Sequence, residues 1–100
     1  MTGMWIGWIE FDLLLGDVHS LKEKRSVVRP LVAEVRRRFD VSVAEVDHQD
    51  LHRRAGLGVG LVGADRAHLV SVLDGVEQFV AYRPELELLE ARRRLISSED

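Results

Sequence analysis

The stretch His19–Phe39, HSLKEKRSVVRPLVAEVRRRF, constrains the fold more than any other part of the chain. Ser20 followed by Glu23 is an S-x-x-E capping box, in which two otherwise unpaired backbone N–H groups find partners. At about 100° per residue, Leu21, Val28, Leu31, Val32, Val35 and Phe39 fall on one face. That face must be buried. Pro30 stands inside the run, donating no hydrogen bond and crowding the carbonyl near Ser26, so a kink or a short helix followed by a longer one is expected there. The stretch carries Lys22, Lys24, Arg25, Arg29, Arg36, Arg37 and Arg38 against Glu23 and Glu34, although the whole chain is at −3. Its positive charge is segregated.

Two readings of the early cations compete. Lys24 and Arg25 project within about 60° of the middle of the apolar stripe, so their stems can cover the edge of the core while their heads reach water. Alternatively, they and the helix start form an anion site for a phosphate group.

Upstream, Met4 to Leu15 reads as a strand ended by Gly16-Asp17. Trp5, Gly7, Ile9, Phe11, Leu13 and Leu15 form a face that should lie against helices. Met4, Ile6, Trp8, Glu10, Asp12 and Leu14 form the other, apolar first and then acidic, as suits a partly open sheet face. After Phe39-Asp40, Val41 to Val46 is a short strand, and Asp47 to Arg54 is a loop or turn of helix. Ala55 to Gly63 sets Leu57, Val59 and Leu61 on one face and Gly56, Gly58 and Gly60 on the other, which permits close approach by a neighbour. Trp8 is the expected filler of that gap. A Gly-x-Gly-x-Gly within a strand lacks the following helix start of a dinucleotide fingerprint.

Asp65 caps a second helix, Arg66 to Tyr82, with Leu69, Val72, Leu73, Val76, Phe79 and Val80 inward. Pro84 stops it. Glu85 to about Ile96 is the last strand, with a bulge near Leu88 where Leu89 breaks the alternation.

The order strand, helix, strand, strand, helix, strand is a repeated split βαβ unit. Its economical solution is an α+β, ferredoxin-like βαββαβ domain over residues 1–100, a four-stranded antiparallel sheet with both helices on one face. Right-handed crossovers place the first and third strands, the two most apolar, in the middle. With 100 residues there is room for one core and no second domain. The absence of cysteine removes disulfides and thiolate chemistry, and Glu10 and Asp12 in the first apolar segment argue against a signal peptide or membrane span. A cytoplasmic location is expected.

HSLKEKR at 19–25, RRRFDVSVAEVDHQDLHRRAGLGV at 36–59 and DRAH at 65–68 together resemble the YlxP-like family of small bacterial proteins, a domain of unknown function. The resemblance spans nearly the whole chain. It implies the same ferredoxin-like fold, and, because such proteins are commonly encoded among translation and ribosome-maturation genes beside ribosome-binding factor A, an RNA or ribosome partner.

The expected RNA or anion contacts are Lys22, Lys24, Arg25, Arg29, Arg36 and Arg37, with Arg53 and Arg54 from the middle loop. An ordinary solvated basic face is the competing reading. Base stacking on the central strands is disfavoured, since the third offers glycines and the first offers acids beside Trp8. DNA and membrane partners are not expected. His48 and His52, four apart beside Asp47 and Asp50, lack a third distant ligand, so a self-bonded polar loop is expected and no metal or cofactor. His19 and His68 read as local hydrogen-bonding residues.

Enzyme activity of the acylphosphatase kind would need a phosphate-cradling loop with an Arg after the first strand, where Asp17 stands instead; no catalytic residue is assigned. The alternative to RNA binding is a homodimeric structural or regulatory interaction module, self-associating through Ile6, Trp8, Gly58 and Gly60 on the open face.

Overall fold

A computed structural model describes residues 3–100. Six elements follow in order: β1 (Trp5–Leu15), α1 (Leu21–Phe39), β2 (Ser42–Val46), β3 (Arg54–Gly63), α2 (Arg66–Ala81) and β4 (Leu86–Ser97). The strands form one sheet in the order β2-β3-β1-β4, every pairing antiparallel. This is the ferredoxin-like arrangement, with β1 and β3 central. The expected bulge is present: β1 pairs Asp12 with Glu90 but Leu13 with Leu88, so Leu89 is the extra residue.

Strand alternation decides which face is covered. Ile9, Phe11, Leu13 and Leu15 of β1, Val43 of β2 and Ala55, Leu57 and Val59 of β3 point to the helices and are buried. They meet Val28, Leu31 and Val35 of α1 and Leu73, Val76 and Val80 of α2 in one cluster. Val32, Val72, Phe39 and Phe79 sit at its margin, where the last two meet edge to face with ring centroids 5.8 Å apart. Leu21, expected inward, is exposed at the first helical position.

Arg93 ties β4 to α2 by donating to Asp74 and Glu77, at 2.8 Å each. Its burial works against the positive charge, yet Glu77 and Asp74 raise its pKa above the ordinary guanidinium value.

The capping box closes with one change of partner. The Ser20 Oγ accepts from the Glu23 N–H at 3.1 Å, while the Glu23 carboxylate reaches past Ser20 to accept from the His19 N–H at 2.7 Å. His19 also meets Asp17 through its ring at 2.9 Å. Replacing Ser20 by alanine is expected to cost about 1 kcal/mol, read as a lower urea midpoint with unchanged slope.

Pro30 neither splits the helix nor shortens it: α1 runs continuously from Leu21 to Phe39. Ser26 and Pro30 both lie on its exposed side, so water can take the carbonyl that the proline leaves without a donor.

Candidate functional site

The cations predicted to act together separate into three groups. Lys24 belongs to the core. It is 2% exposed, and its Nζ donates to the carbonyls of His48 at 2.7 Å and Leu51 at 2.8 Å while pairing with Glu45 Oε2 at 2.9 Å. Its head neither reaches water nor faces an open anion site, which corrects both sequence readings. The cause is helical phase: Lys24 lies in the apolar arc with Val28, Leu31 and Val35, and the loop after β2 brings carbonyls to meet it. A buried ammonium is tolerable only with such partners.

Arg54 is committed as well. Its guanidinium makes a two-pronged contact with the Asp12 carboxylate, the Nε donating at 3.1 Å, and His48 Nε2 lies 3.5 Å from the same carboxylate. Arg53 is exposed and directs its Nε to the Leu15 carbonyl at 3.4 Å. These two do not join the helical cations.

The third group does assemble. Lys22, Arg25, Arg29, Arg36 and Arg37 are all exposed, and none forms an ion pair among the described residues. Lys22, Arg25, Arg29 and Arg36 fall within about 60° of arc and extend about 21 Å along the helix; Arg37 flanks them by a further 60° or so. Arg36 is oriented by donation from Nη2 to the Val43 carbonyl at 2.8 Å, which draws it toward the β2 edge. The two acids of α1 lie beyond Arg37, within about 60° of it by helical phase, and are engaged elsewhere, Glu23 at the cap and Glu34 with Arg83 at 3.0 Å. Thus Lys22, Arg25, Arg29 and Arg36 lie clear of the helix's own carboxylates, and Arg37 stands between the two sets. Arg38 leaves it, lying instead over Phe79 at 5.1 Å from the ring centroid.

On the opposite side of the sheet lies a second surface. A trough of about 500 Å³ is lined by Trp8, Ser42, Ala44, Val46, Gly58 and Gly60. Trp8 pairs with Gly60 across the β1–β3 ladder but does not cover it: a Cβ placed on Gly60 would meet only the Gly7 carbonyl, at 3.7 Å. Over Gly58 the nearest atoms belong to Val46. The expected filling of the gap by Trp8 is therefore corrected, and the trough stays bare. Val62, next along this face, is 64% exposed.

Farther down the same face, the loop between β2 and β3 folds over the sheet. Asp47 and His48 both adopt positive φ, 56° and 52°, a conformation that Asp and His accept more readily than most residues. The turn brings His48 to Asp12, beside a polar hollow of about 160 Å³ that also includes Glu10 and Arg92. Sequence reasoning missed the Asp12–Arg54–His48 cluster. Its available signal was alternation, which puts Asp12 and Arg54 on one face of adjacent strands. Among the described residues, no group of three His, Cys, Asp or Glu side chains converges as a metal site, and no helix is long and apolar enough to cross a membrane.

Among solved structures, the de novo designed protein Foldit4 superposes with a TM-score of 0.58 at 11% identity, covering 95% of this chain and 98% of its own, a likeness of fold alone. SnoaB, a cofactor-independent oxygenase from Streptomyces nogalater, covers 96% of this chain and 94% of its own at 13% identity, but its TM-score of 0.49 supports no inference. The uncharacterized protein YlxP of Bacillus subtilis (strain 168) is 34% identical over 82 residues, covering 82% of this chain and 89% of that protein. The family model described as "Protein of unknown function (DUF503)" matches residues 6–93, and the chain therefore belongs to that family.

Proposed function

We propose that this protein is a non-enzymatic binding module that holds the phosphate backbone of RNA, alone or within a ribosomal particle, along the exposed side of α1. The observation that carries the reading is the exposed ridge of Lys22, Arg25, Arg29 and Arg36, flanked by Arg37, none of them ion-paired among the described residues, on a chain whose net charge is −3. An anionic protein that repels RNA in bulk binds it only where its cations are gathered and its carboxylates kept away. Backbone contact asks for clustered charge and no fixed base-reading geometry, which is what a helical ridge supplies.

Salt dependence tests this. Five phosphate contacts on single-stranded RNA should give a slope of about −3.5 in log K against log salt. Replacing Lys22, Arg25 and Arg29 together by glutamate should reduce that slope by about 2 and weaken binding in low salt, whereas Lys24→Arg should leave the slope unchanged. Fluorescence anisotropy on a labelled RNA reads both. Binding that is insensitive to salt, or unaffected by the triple replacement, would refute the ridge as the contact. A homodimeric interaction module without RNA is the second reading, favoured by the bare trough beside Trp8; dimers that bind no RNA at low salt would select it.

A further inference from the structure

We infer that the open sheet face is the interface of a two-fold homodimer in which Trp8 of each copy fills the bare space over Gly60 of the other. The inference stands whether or not the ridge meets RNA, because it rests on the opposite side of the sheet.

The argument begins with register. Trp8 and Gly60 are direct partners across β1 and β3, and so are Ile6 and Val62. A half-buried indole thus stands one strand away from a position with no side chain and almost no neighbour. A two-fold axis lying in the interface, parallel to the strands and midway between β1 and β3, carries each β1 position onto the β3 position that it pairs with. Trp8 then lands over Gly60 of the second copy, and Ile6 lands on Val62. Bulk and hollow are complementary to each other on one surface, which is the requirement for an isologous contact.

Charge does not oppose this pairing. Of the acids on the face, Glu10 is matched by Arg92 and Asp12 by Arg54 within each copy, and Glu87 and Glu90 on β4 share the face with the exposed Arg94. The same axis sets Glu10 against Gly58, so two acids are not brought together. A face of single sign would repel its own copy.

Area makes the contact a weak one. Clear of the loop, about seven residues on each of β1, β3 and β4 and about four on β2, at about 3.3 Å per residue and 4.8 Å between strands, present about 400 Å² per copy and about 800 Å² per pair. That lies below the roughly 1,000 Å² of a stable specific contact and in the range of a transient one. Sheets stacked about 10 Å apart leave room for an indole between a strand and a glycine.

Sedimentation equilibrium at about 100 μM, a concentration suited to an interface at the weaker end of the size range, decides the matter. The unaltered chain should show twice the 11.4 kDa of one copy. A single-copy mass would overturn the inference. Trp8→Glu should give the single-copy mass; so should Val62→Glu, whose native side chain is mostly in water and whose replacement should leave the far-ultraviolet circular dichroism and melting temperature of the fold little changed. If Trp8→Glu fails to fold, Val62→Glu still decides. A folded Val62→Glu protein that remains dimeric would place the interface elsewhere. Arg29→Glu, on the helix layer, should keep the double mass.

Discussion

Replacing Lys24 by methionine is expected to lower stability by about 2–3 kcal/mol and the melting temperature by about 10–20 °C. Methionine fills much of the lysine stem and is itself apolar, so little packing is lost. What goes is the ammonium head, and with it the donor to the His48 and Leu51 carbonyls and the partner of Glu45. Breaking a buried pair commonly costs about 3–5 kcal/mol, but the Glu45 side chain keeps 30% of its exposure and can recover water, which puts the expectation lower. The loss should be local as well as global. Leu51 donates its N–H to His48 at 3.0 Å within the loop that Lys24 anchors, so that amide should exchange faster with solvent in the variant. An unchanged melting curve would mean that the lysine head lies in water and the loop is held by other contacts.

The elements of this fold were legible because periodicity survives any reasonable environment. The inward set of β1 and the capped start of α1 follow from spacing alone, and Leu89 announced the bulge by breaking an alternation. Lys24 was harder. Its angle on the helix already placed it near the apolar stripe, but the carbonyls that make burial tolerable come from a loop 24 to 27 residues away, whose positive-φ turn no local pattern announces. Pro30 was legible as an obstacle but not in outcome, which depends on whether the freed carbonyl faces water. Sequence spacing alone groups Arg54 with the cations, because strand pairing must be known before Asp12 stands out as its partner.

The cationic side of α1 and the open trough lie on opposite sides of the sheet. Phosphate contact through α1 and self-association through the open face do not compete for space. A dimer with the proposed axis would carry two ridges outward on its two helix layers. Each ridge alone offers five cations, so a second copy can raise apparent RNA affinity through local concentration wherever one RNA reaches both.

Gly56→Ala should be among the most damaging single-methyl additions in the chain, at about 3 kcal/mol, although alanine ordinarily strengthens a strand position held by glycine. Gly56 pairs with Val46 at the end of β2, where the chain turns through Asp47 and His48. The turn brings the Val46 carbonyl over the glycine, and an added Cβ would lie 2.0 Å from that oxygen. Backbone must move to admit it. Gly60, two pairs along the same face, is the internal control: its Cβ would find only an ordinary contact at 3.7 Å, so Gly60→Ala should change stability by no more than about 0.5 kcal/mol in either direction. Urea unfolding of the two variants separates close approach from any general need for glycine on this strand; equal losses would refute the account. The Gly56 clash also displaces the loop that Lys24 holds, so the two sites should couple. Combining Gly56→Ala with Lys24→Met should cost less than the sum of the single losses, because once the loop has been pushed away the lysine has fewer carbonyls left to lose.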